Sequence, residues 1–563
     1  MSVHKVKGEY LIYKAKKSSE MKFRKELSRE LIENFENKIY TSEEVTEVLK
    51  YSIEYFTTKF ESICRAETSI RFYQHIFKFH DQATQASYDD PHKDLSPEIS
   101  IGYLATYRRI LKLIMEMGCE IKMHNREKTN AAFKLRFQDK LSDLIYLGEM
   151  IFTCGSLYAE QSMIEDVADI VYDINNLFSF TRRHHYDHIF KHFDTYAREN
   201  LGDSVLDDSG LSGFEDLKAA INRCLGIEYG NVGHLIASIH KMNEPKGGDM
   251  VGVEWKTLPY NMETMYGVDL EMAKTFFSGL TLNKSNKMSV LDCAVKQYAL
   301  NRYLYRPIVI WNVEGEDYAF FSKYSWMETF FQLSSNAIPW GKASQEWKSN
   351  KCLNKYINKK QDDHDRWLDD SVEEKLIANH LMYDRNAKKL KHKSGVTSFD
   401  IKDLGEIDFI IVSEALKKVL IVDCKHLVGR YDIPSQRNDY NAFTKGKKPY
   451  NETIARKVEW FKSNKDILCE HFELKYKVDL DLTDYQIEGV FFINTPTLYM
   501  YNSEFRIYTI HQVENVVFGN HQDPIFEIII DEGDHTRFLS VNYPYFQKPK
   551  YLRFDFFDDE EDY

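Results

Sequence analysis

The sequence lacks most of the short motifs that identify common classes of enzyme and binding protein. Its eight cysteines occur singly and none forms a CxxC pair, which argues against a zinc knuckle and against a disulfide framework. No GxxxxGK[ST] loop is present, so nothing indicates a P-loop ATPase. No apolar run approaches the ~18 residues that span a membrane, and the first residues contain no apolar signal region. We therefore expect a soluble, cytoplasmic protein that has no membrane partner.

Proline and glycine are also scarce, with 12 and 25 residues among 563, and they are sparse before residue 200. A chain of this length is too long for one core, so several domains are expected. Apolar side chains recur at helical spacing through most of residues 1–300. Helices are predicted at 21–40, 43–60, 99–117, 133–153, 163–178 and 289–305. We expect a large helical domain there, with a sensing or assembly role.

The net charge of -13 argues against broad, unspecific coating of nucleic acid. Two local segments are nevertheless basic. Residues 384–402 contain six Lys or Arg against two acids, and residues 426–457 contain seven against three. Both flank the stretch 405–425, and either segment alone is also compatible with a solvated loop. Candidate nucleic-acid contacts in them are Lys388, Lys389, Lys391, Lys393, Gln436, Arg456 and Lys457, with Gln436 alternatively a residue of a surface helix or loop.

The stretch 405–425 predicts a β-hairpin, because two β-branched, apolar runs flank the polar segment 413–418. With the turn centred between Ala415 and Leu416, three pairs of residues face each other: Asp408 with Asp423, Ile410 with Ile421, and Val412 with Val419. Opposite residues of an antiparallel pair share a face, as do residues two apart on one strand. Asp408, Asp423 and Lys425 are therefore predicted to converge at the end of the hairpin away from the turn.

Two carboxylates in a half-buried sheet repel each other and lose hydration, so a scaffold alone seldom keeps them. A hard divalent cation relieves both costs, and Mg²⁺ takes oxygen ligands while it retains several waters. A metal-bound water is more acidic, and a nearby ammonium orients it or stabilises charge in a phosphoryl transition state. Asp408, Asp423 and Lys425 thus indicate phosphodiester hydrolysis with Mg²⁺ or Mn²⁺. The competing interpretation is a half-exposed hairpin with surface charges.

The order Gly-Glu-Ile-Asp, about fifteen residues, then Asp-x-Lys resembles the PD-(D/E)xK nuclease superfamily, which has the restriction-endonuclease-like fold. The resemblance covers roughly residues 365–515. It implies catalysis by Asp408, Asp423 and Lys425, and a further acid from a helix before the hairpin. On the helix expected near 370–383, Glu374 with Ile377 and Leu381 fits the acid-then-apolar spacing of the family, and Glu373 with Leu376 is the alternative. The implied metal ligands are Asp408, Asp423, Glu374 and the main-chain neighbourhood of Cys424. The side chain of Cys424 is predicted to point to the opposite face. The proline of the family motif is absent, and Asp423 replaces the more frequent Glu.

These observations predict a multidomain α+β protein, a large N-terminal helical domain followed by a C-terminal α/β restriction-endonuclease-like nuclease domain. The expected boundaries are 1–300 for the helical domain, 301–345 for a connecting segment with β-structure, 346–540 for the nuclease domain and 541–563 for an acidic, aromatic tail. The polar stretch 344–370 supplies the boundary. The αβββαβ order of the family requires a third strand on the side of the hairpin, and that strand has no clear place in the sequence.

The expected function is a metal-dependent nuclease, with DNA favoured over RNA as substrate. The layout is similar to bacterial anti-phage defence nucleases, an analogy of architecture alone. The alternative is a nucleic-acid-binding or assembly protein with an inactive nuclease fold, and a third interpretation places the function in residues 1–300. A homo-oligomer or a separate activating partner protein stays open.

Overall fold

The computed structural model describes most of the chain, in twelve stretches. These are residues 3–6, 10–35, 42–88, 101–128, 130–161, 168–182, 209–243, 252–399, 404–428, 433–521, 526–531 and 536–541. The chain divides into two compact units. The first comprises Met1–Tyr158, Ile170–Thr181 and Leu206–Gln361, and the second comprises Ala159–Asp169, Arg182–Val205 and Asp362–Tyr563.

Helices dominate the first unit, as the sparse glycine and proline predicted. They are α1 (Lys17–Asn34), α2 (Ser42–Arg65), α3 (Ile70–Tyr88), α4 (Ile101–Gly118), α5 (Ala131–Gln161), α6 (Ser209–Leu225), α7 (Tyr229–Asn243), α8 (Thr257–Tyr266), α9 (Leu270–Gly279), α10 (Val290–Val295), α11 (Lys323–Asn336) and α12 (Gln345–Ser349). The predicted helices at 21–40, 43–60, 99–117 and 133–153 are thus confirmed apart from their ends. The predicted helix at 289–305 is shorter, because only α10 is helical there.

The predicted helix at 163–178 is wrong from residue 168 onwards, and residues 163–167 lie outside the described residues. Strands β4 (Ala168–Tyr172) and β5 (Phe178–Arg182) pair in a two-stranded sheet, as do β1 (Val3–Val6) and β2 (Tyr10–Tyr13) near the start of the chain. The Asp173 carboxylate accepts hydrogen bonds from the backbone N–H groups of Asn175 and Leu177, and Asn176 has a φ of 57°. These hydrogen bonds stabilise a turn between two strands, and the turn outweighs the apolar spacing that predicted a helix.

Besides its helices, the first unit contains a sheet of five strands. They are β3 (Lys122–Met123), β6 (Gly252–Glu254), β7 (Thr281–Leu282), β8 (Ile308–Val313) and β9 (Glu316–Phe320). The sheet order is β3-β8-β9-β6, with β7 also paired to β8. The β-structure predicted for the segment 301–345 is therefore present, as the hairpin of β8 and β9. It belongs to the first unit, because β8 and β9 form the centre of that sheet.

A disulfide joins Cys224 at the end of α6 to Cys352, with a Cα–Cα distance of 5.4 Å and a sequence separation of 128. The absence of paired cysteine motifs made such a bond unexpected. Spacing along the chain reports local motifs only, whereas these two cysteines meet through tertiary packing.

The polar stretch 344–370, expected to separate two domains, is helical instead. Helix α13 spans Lys351–Ala378 and begins about twenty residues before the predicted start of the family's first helix. Its polar residues surround a buried apolar stripe of Leu353, Ile357, Leu368, Val372 and Leu376. The units divide after Gln361, within this helix, rather than at residue 346.

The second unit is built on a mixed five-stranded sheet with the order β10-β13-β14-β15-β16. Its strands are β10 (Met382–Ala387), β13 (Ile407–Ser413), β14 (Lys418–Lys425), β15 (Gln486–Ile493) and β16 (Arg506–Thr509). Neighbours β10, β13 and β14 are antiparallel, whereas β15 runs parallel to β14 and to β16. Strand β10 is the one that had no place in the sequence. Its sequence, Met-Tyr-Asp-Arg-Asn-Ala, lacks the apolar alternation of a strand with one buried face.

The connections of this unit are helices and small hairpins. They are β11 (Lys389–His392) with β12 (Gly395–Ser398), α14 (Ile433–Thr444), α15 (Tyr450–Lys462), α16 (Lys465–Tyr476), α17 (Val513–Phe518), and β17 (Phe526–Asp531) with β18 (Thr536–Val541). The predicted acidic tail lies, after Val541, outside the described residues.

The sheet separates two apolar layers. Phe409, Ile411, Leu420 and Val422 pack with Leu368, Val372 and Leu376 of α13. On the opposite face, Ile410, Val412, Val419 and Ile421 pack with Ile454, Val458 and Phe461 of α15. By strand alternation, Asp408, Asp423 and Lys425 share the face of α15, whereas Cys424 shares that of α13.

Candidate active site at the end of the central hairpin

The register of β13 and β14 is the one predicted from the sequence. Ile410 is opposite Ile421, and Val412 is opposite Val419. One carboxylate oxygen of Asp408 accepts a hydrogen bond of 2.6 Å from the backbone N–H of Cys424. The Asp408 side chain is thereby fixed against the neighbouring strand, next to Asp423.

Two ammonium groups hold Asp423, and one of them comes from a helix distant in sequence. Lys425 Nζ lies 2.6 Å from Asp423 Oδ2, and Lys457 Nζ of α15 donates to Oδ1 at 3.2 Å. Lys457 is 3% exposed and also donates to the backbone oxygen of Glu406 at 2.9 Å. Lys457 is therefore part of this site, whereas the sequence placed it among surface contacts to nucleic acid.

The Lys425 ammonium is held from a second side by an aromatic ring. It lies 4.8 Å from the centroid of Tyr450, the first residue of α15. A cation above an aromatic ring is attracted by the negative face of the ring. Helix α15 thus contributes two side chains to the site, one at its start and one two turns later.

The two carboxylates differ in their affinity for protons. Burial, reinforced by the negative charge of Asp423, raises the pKa of Asp408 to about 7. Burial also opposes ionisation of Asp423, but Lys425 and Lys457 outweigh it and hold the pKa of Asp423 below its usual value. Burial lowers the pKa of Lys425, but the negative charges of Asp423 and Asp408 outweigh burial and raise this pKa above its usual value. Lys425 is therefore an ammonium at neutral pH.

Glu374 and Glu373, the two candidates for a further acid from the helix before the hairpin, do not contact this cluster. Glu374 is exposed, and so is Ile377, which its predicted apolar spacing assumed to be buried. Glu373 accepts a hydrogen bond of 2.9 Å from the Tyr383 hydroxyl and pairs with Arg385. The buried stripe of α13 runs through Leu368, Val372 and Leu376, one position away from the stripe that Glu374 required.

Asp369 of α13 reaches the hairpin end instead. Its carboxylate hydrogen-bonds with the Cys424 thiol, and burial raises the pKa of Asp369. Burial raises the pKa of Cys424 well above its ordinary value, and the negative charges of Asp408 and Asp369 raise it in the same direction by smaller amounts. The Cys424 thiol therefore stays protonated and is unsuited to bind a metal as a thiolate.

Asp408 and Asp423 fit a hard divalent cation by their chemistry and by one unsatisfied atom. Asp423 Oδ2 is buried and accepts no hydrogen bond, so the Lys425 contact is an ion pair outside hydrogen-bonding direction. Within the described residues, no three or more His, Cys, Asp or Glu side chains group as metal ligands, so side chains supply at most two ligands in this arrangement. Mg²⁺ accepts such a set, because it keeps several of its waters.

The remaining candidate contacts to nucleic acid lie in different environments. Lys388, Lys389, Lys391 and Lys393 are all exposed, but Lys388 lies 3.4 Å from Glu406, and Lys393 pairs with Glu473 of α16. Arg456 is exposed on α15. Gln436 is 3% exposed and its side-chain oxygen accepts hydrogen bonds from Thr497 and from the backbone of Leu498. Gln436 therefore connects α14 to the chain after β15, within the fold.

Sequence reasoning missed Asp369 and Tyr450, and it gave Lys457 a different place. The signal for Lys457 was present, because it lies within the apolar stripe Ile454, Val458 and Phe461, where a lysine needs a buried partner. Asp369 had no such signal, because its helix was not recognised at that position.

Comparisons of the chain with protein-family models, with curated proteins and with solved structures each find no match. Among the described residues, no helix combines the length and apolar character needed to cross a membrane. The functional interpretation therefore depends on the geometry of the hairpin end.

Proposed function

We propose that the chain is a metal-dependent nuclease that hydrolyses phosphodiester bonds, with DNA favoured over RNA. The observation that carries the proposal is the convergence of Asp408, Asp423 and Lys425 on one face of the hairpin end. Two adjacent carboxylates and an ammonium suit a cation and a phosphate together. The expected setting is cytoplasmic defence against phage or foreign DNA, by analogy of architecture.

The order of elements in the second unit supports the resemblance to the PD-(D/E)xK superfamily. Helix α13, three antiparallel strands, the helical crossover and the parallel strand β15 follow one another in the αβββαβ order of that family. The acids and the lysine lie on the second and third of these strands, β13 and β14. Fold similarity alone does not establish activity, so the chemistry of the site carries more weight.

Each residue of the site has a distinct role in this proposal. Asp408 and Asp423 would hold a Mg²⁺ or Mn²⁺ ion. When bound, such an ion acidifies water and neutralises charge on the phosphate. Lys425 supplies a fixed positive charge for the phosphate oxygens, because its raised pKa keeps it protonated. Lys457 does not reach solvent and acts as a positioning residue that holds Asp423 ionised.

A basic turn beside the site suits the nucleic-acid backbone. Lys447 and Lys448 are exposed in the turn before α15, three and two residues before Tyr450, whose ring contacts Lys425. Neither lysine has a hydrogen bond or an ion pair to another described residue. Exposed, unpaired ammonium groups next to a catalytic cluster favour phosphate contacts that carry no sequence preference.

The test is cleavage of plasmid DNA, linear DNA and RNA by the full chain in Mg²⁺, in Mn²⁺ and in EDTA. Wild type should cleave in either metal and not in EDTA. Asp408→Asn and Asp423→Asn should abolish cleavage while circular dichroism shows an intact fold. Asp481→Asn is the matched control, since Asp481 is an exposed acid of the same unit, and it should cleave as wild type does. Wild-type cleavage by Asp423→Asn would overturn the assignment.

The second candidate is a binding or assembly protein whose nuclease fold is inactive. The exposed lysines, among them Lys447 and Lys448, favour it as much as they favour a nuclease. The same experiment separates the two, because a binder retains nucleic acid in EDTA in a gel-shift assay and never cleaves it.

A further inference from the structure

A cavity in the first unit is lined by more positive than negative charge. It has a volume of about 220 Å³ and lies between α4, the chain before β8, and α11. Arg108, Arg109 and Lys112 reach it from one face of α4, since they are spaced at i, i+1 and i+4 of the helix. Arg302 supplies a fourth cation, and Glu328 is the acid in the lining.

The acids near this cavity are already engaged. The Glu328 carboxylate accepts a hydrogen bond of 2.6 Å from the Arg108 guanidinium, and its other oxygen lies 3.5 Å from Lys112 Nζ. Glu116 is not part of the lining. Its carboxylate oxygens accept hydrogen bonds from Arg302 Nε, at 2.9 Å and 3.0 Å, and from the backbone N–H of Tyr303, at 2.9 Å. Among the residues that the structure describes, the four cations of this cavity thus face two carboxylates, which leaves an excess of two positive charges.

Arg109 accounts for part of that excess. It lines the cavity and has no hydrogen bond or ion pair to any other residue that the structure describes. Lys112 is only 12% exposed at its side chain, and burial lowers its pKa to about 8 although Glu328 opposes the shift. Buried cations without full compensation are costly, and a bound anion removes that cost.

We propose that this cavity binds the phosphate monoester group of a small molecule. A phosphate monoester carries close to two negative charges at neutral pH, which matches the excess in the cavity. Planar guanidinium groups bind phosphate oxygens through paired hydrogen bonds, and three arginines line the site. Phe152, Tyr298 and Leu304 offer apolar contacts to the rest of the ligand.

The size and charge of the cavity argue against a nucleic-acid strand as the ligand. Sites for drug-sized ligands are generally larger, at about 300–1,000 Å³. Each phosphodiester of a nucleic acid carries one negative charge, half of what the cavity can neutralise. This inference does not depend on nuclease activity, because every residue of the cavity belongs to the first unit.

The test is isothermal titration of the full chain with inorganic phosphate and with a nucleoside monophosphate, in EDTA so that no metal bridges the ligand to the hairpin site. The nucleoside without phosphate and a single-stranded oligonucleotide serve as comparisons. Wild type should bind both phosphate compounds saturably and the nucleoside at least about tenfold more weakly, because charge-assisted contacts are lost.

Variants assign the binding to the cavity. Arg109→Gln should weaken phosphate binding at least about tenfold. Arg126→Gln, at an arginine of the same unit that is 83% exposed, should leave it unchanged. Glu328→Gln, which adds to the positive excess, should tighten it. Asp423→Asn should bind phosphate as wild type does, whatever its effect on cleavage.

Three results would overturn the proposal. One is the absence of saturable binding of either phosphate compound by wild type. Another is equal affinity in wild type and in Arg109→Gln, when the variant has the melting temperature of the wild type. Binding of the oligonucleotide alone, lost in Arg109→Gln, would also overturn it and assign the cavity to nucleic acid.

Discussion

Lys457 and Asp423, separated by 34 residues, are joined by a contact of 3.2 Å between Nζ and Oδ1. Both side chains are almost fully buried, and Lys457 has a second acceptor in the backbone of Glu406. The contact connects helix α15 to the strand that carries the candidate catalytic residues. Its consequence is that the position and ionisation of Asp423 depend on a residue outside the hairpin.

Replacing Lys457 by Met should impair both stability and cleavage. The free energy of unfolding should fall by about 3 kcal/mol, because loss of one partner leaves a buried carboxylate with less compensation. Cleavage should fall by at least about a hundredfold, the usual effect of removing a preorganised charge near the reaction. Denaturant unfolding and plasmid cleavage measure the two effects.

The control for that change is Lys462→Met on the same helix. Lys462 is exposed in the last turn of α15, so stability and cleavage should both stay at the wild-type level. Equal stability of the two variants would contradict the importance assigned to the Lys457–Asp423 contact.

Asp369 and Glu374 lie on the same helix and should differ in their effect on metal dependence. Asp369 contacts Cys424, whose backbone N–H holds Asp408, whereas Glu374 is exposed. Asp369→Asn should raise the Mg²⁺ concentration needed for half-maximal cleavage about tenfold, since groups behind metal ligands have effects of that size. Glu374→Gln should leave it unchanged. The reverse order would restore Glu374 as the helix acid.

Gln436 should affect stability and leave nucleic-acid affinity unchanged. Gln436→Ala removes the acceptor of Thr497 and of the Leu498 N–H, and buried donors without acceptors cost about 1–3 kcal/mol each. Lys447→Gln with Lys448→Gln should do the opposite, with weaker binding and a shallower dependence on salt. Thermal unfolding and salt titrations of DNA binding, in EDTA, distinguish the two variants.

The disulfide between Cys224 and Cys352 should stabilise the first unit. It closes a loop with a sequence separation of 128, and the chain-entropy estimate for such a loop is about 5 kcal/mol. Cys352→Ser should lower the melting temperature under oxidising conditions. A reductant should lower that of wild type and not that of the variant, and an unchanged wild type would show that the bond does not contribute.

The buried carboxyl group of Glu149 should make the stability of the first unit depend on pH. Burial raises its pKa from 4.5 to about 7, so the folded protein retains a proton that the unfolded chain has lost between these values. Stability should therefore fall as pH rises from 4.5 to 7 and level off above pH 7, by at most about 4 kcal/mol at about 1.4 kcal/mol per pKa unit. The true change should be smaller, because solvent screens a group that is not fully buried.

Comparison of two variants isolates that effect. Glu149→Gln should lose this part of the pH dependence, measured by denaturant unfolding between pH 4.5 and pH 8. Glu271→Gln, at an exposed acid of α9, should keep the wild-type profile. A wild-type profile in Glu149→Gln would assign the dependence to other groups.

Local patterns were sufficient for much of the fold. The hairpin and its register followed from alternation and turn position, because a shift by one residue would turn every buried side chain to the other face. The long helices of the first unit followed from their apolar spacing. Strand β10 and the turn at Asp173 did not, because pairing and side-chain hydrogen bonds there outweigh hydrophobic pattern.

The sequence by itself determined that Asp408, Asp423 and Lys425 lie together, because they belong to one hairpin and hairpin geometry is local. Only the tertiary structure decided what surrounds them. Lys457 and Tyr450 reach the cluster from α15, and Asp369 of α13 contacts Cys424 on the other face of the hairpin. Cys224 meets Cys352 across a separation of 128 residues. Such contacts arise from how helices pack on a sheet and on one another, and the spacing of residues along one segment carries no record of that packing.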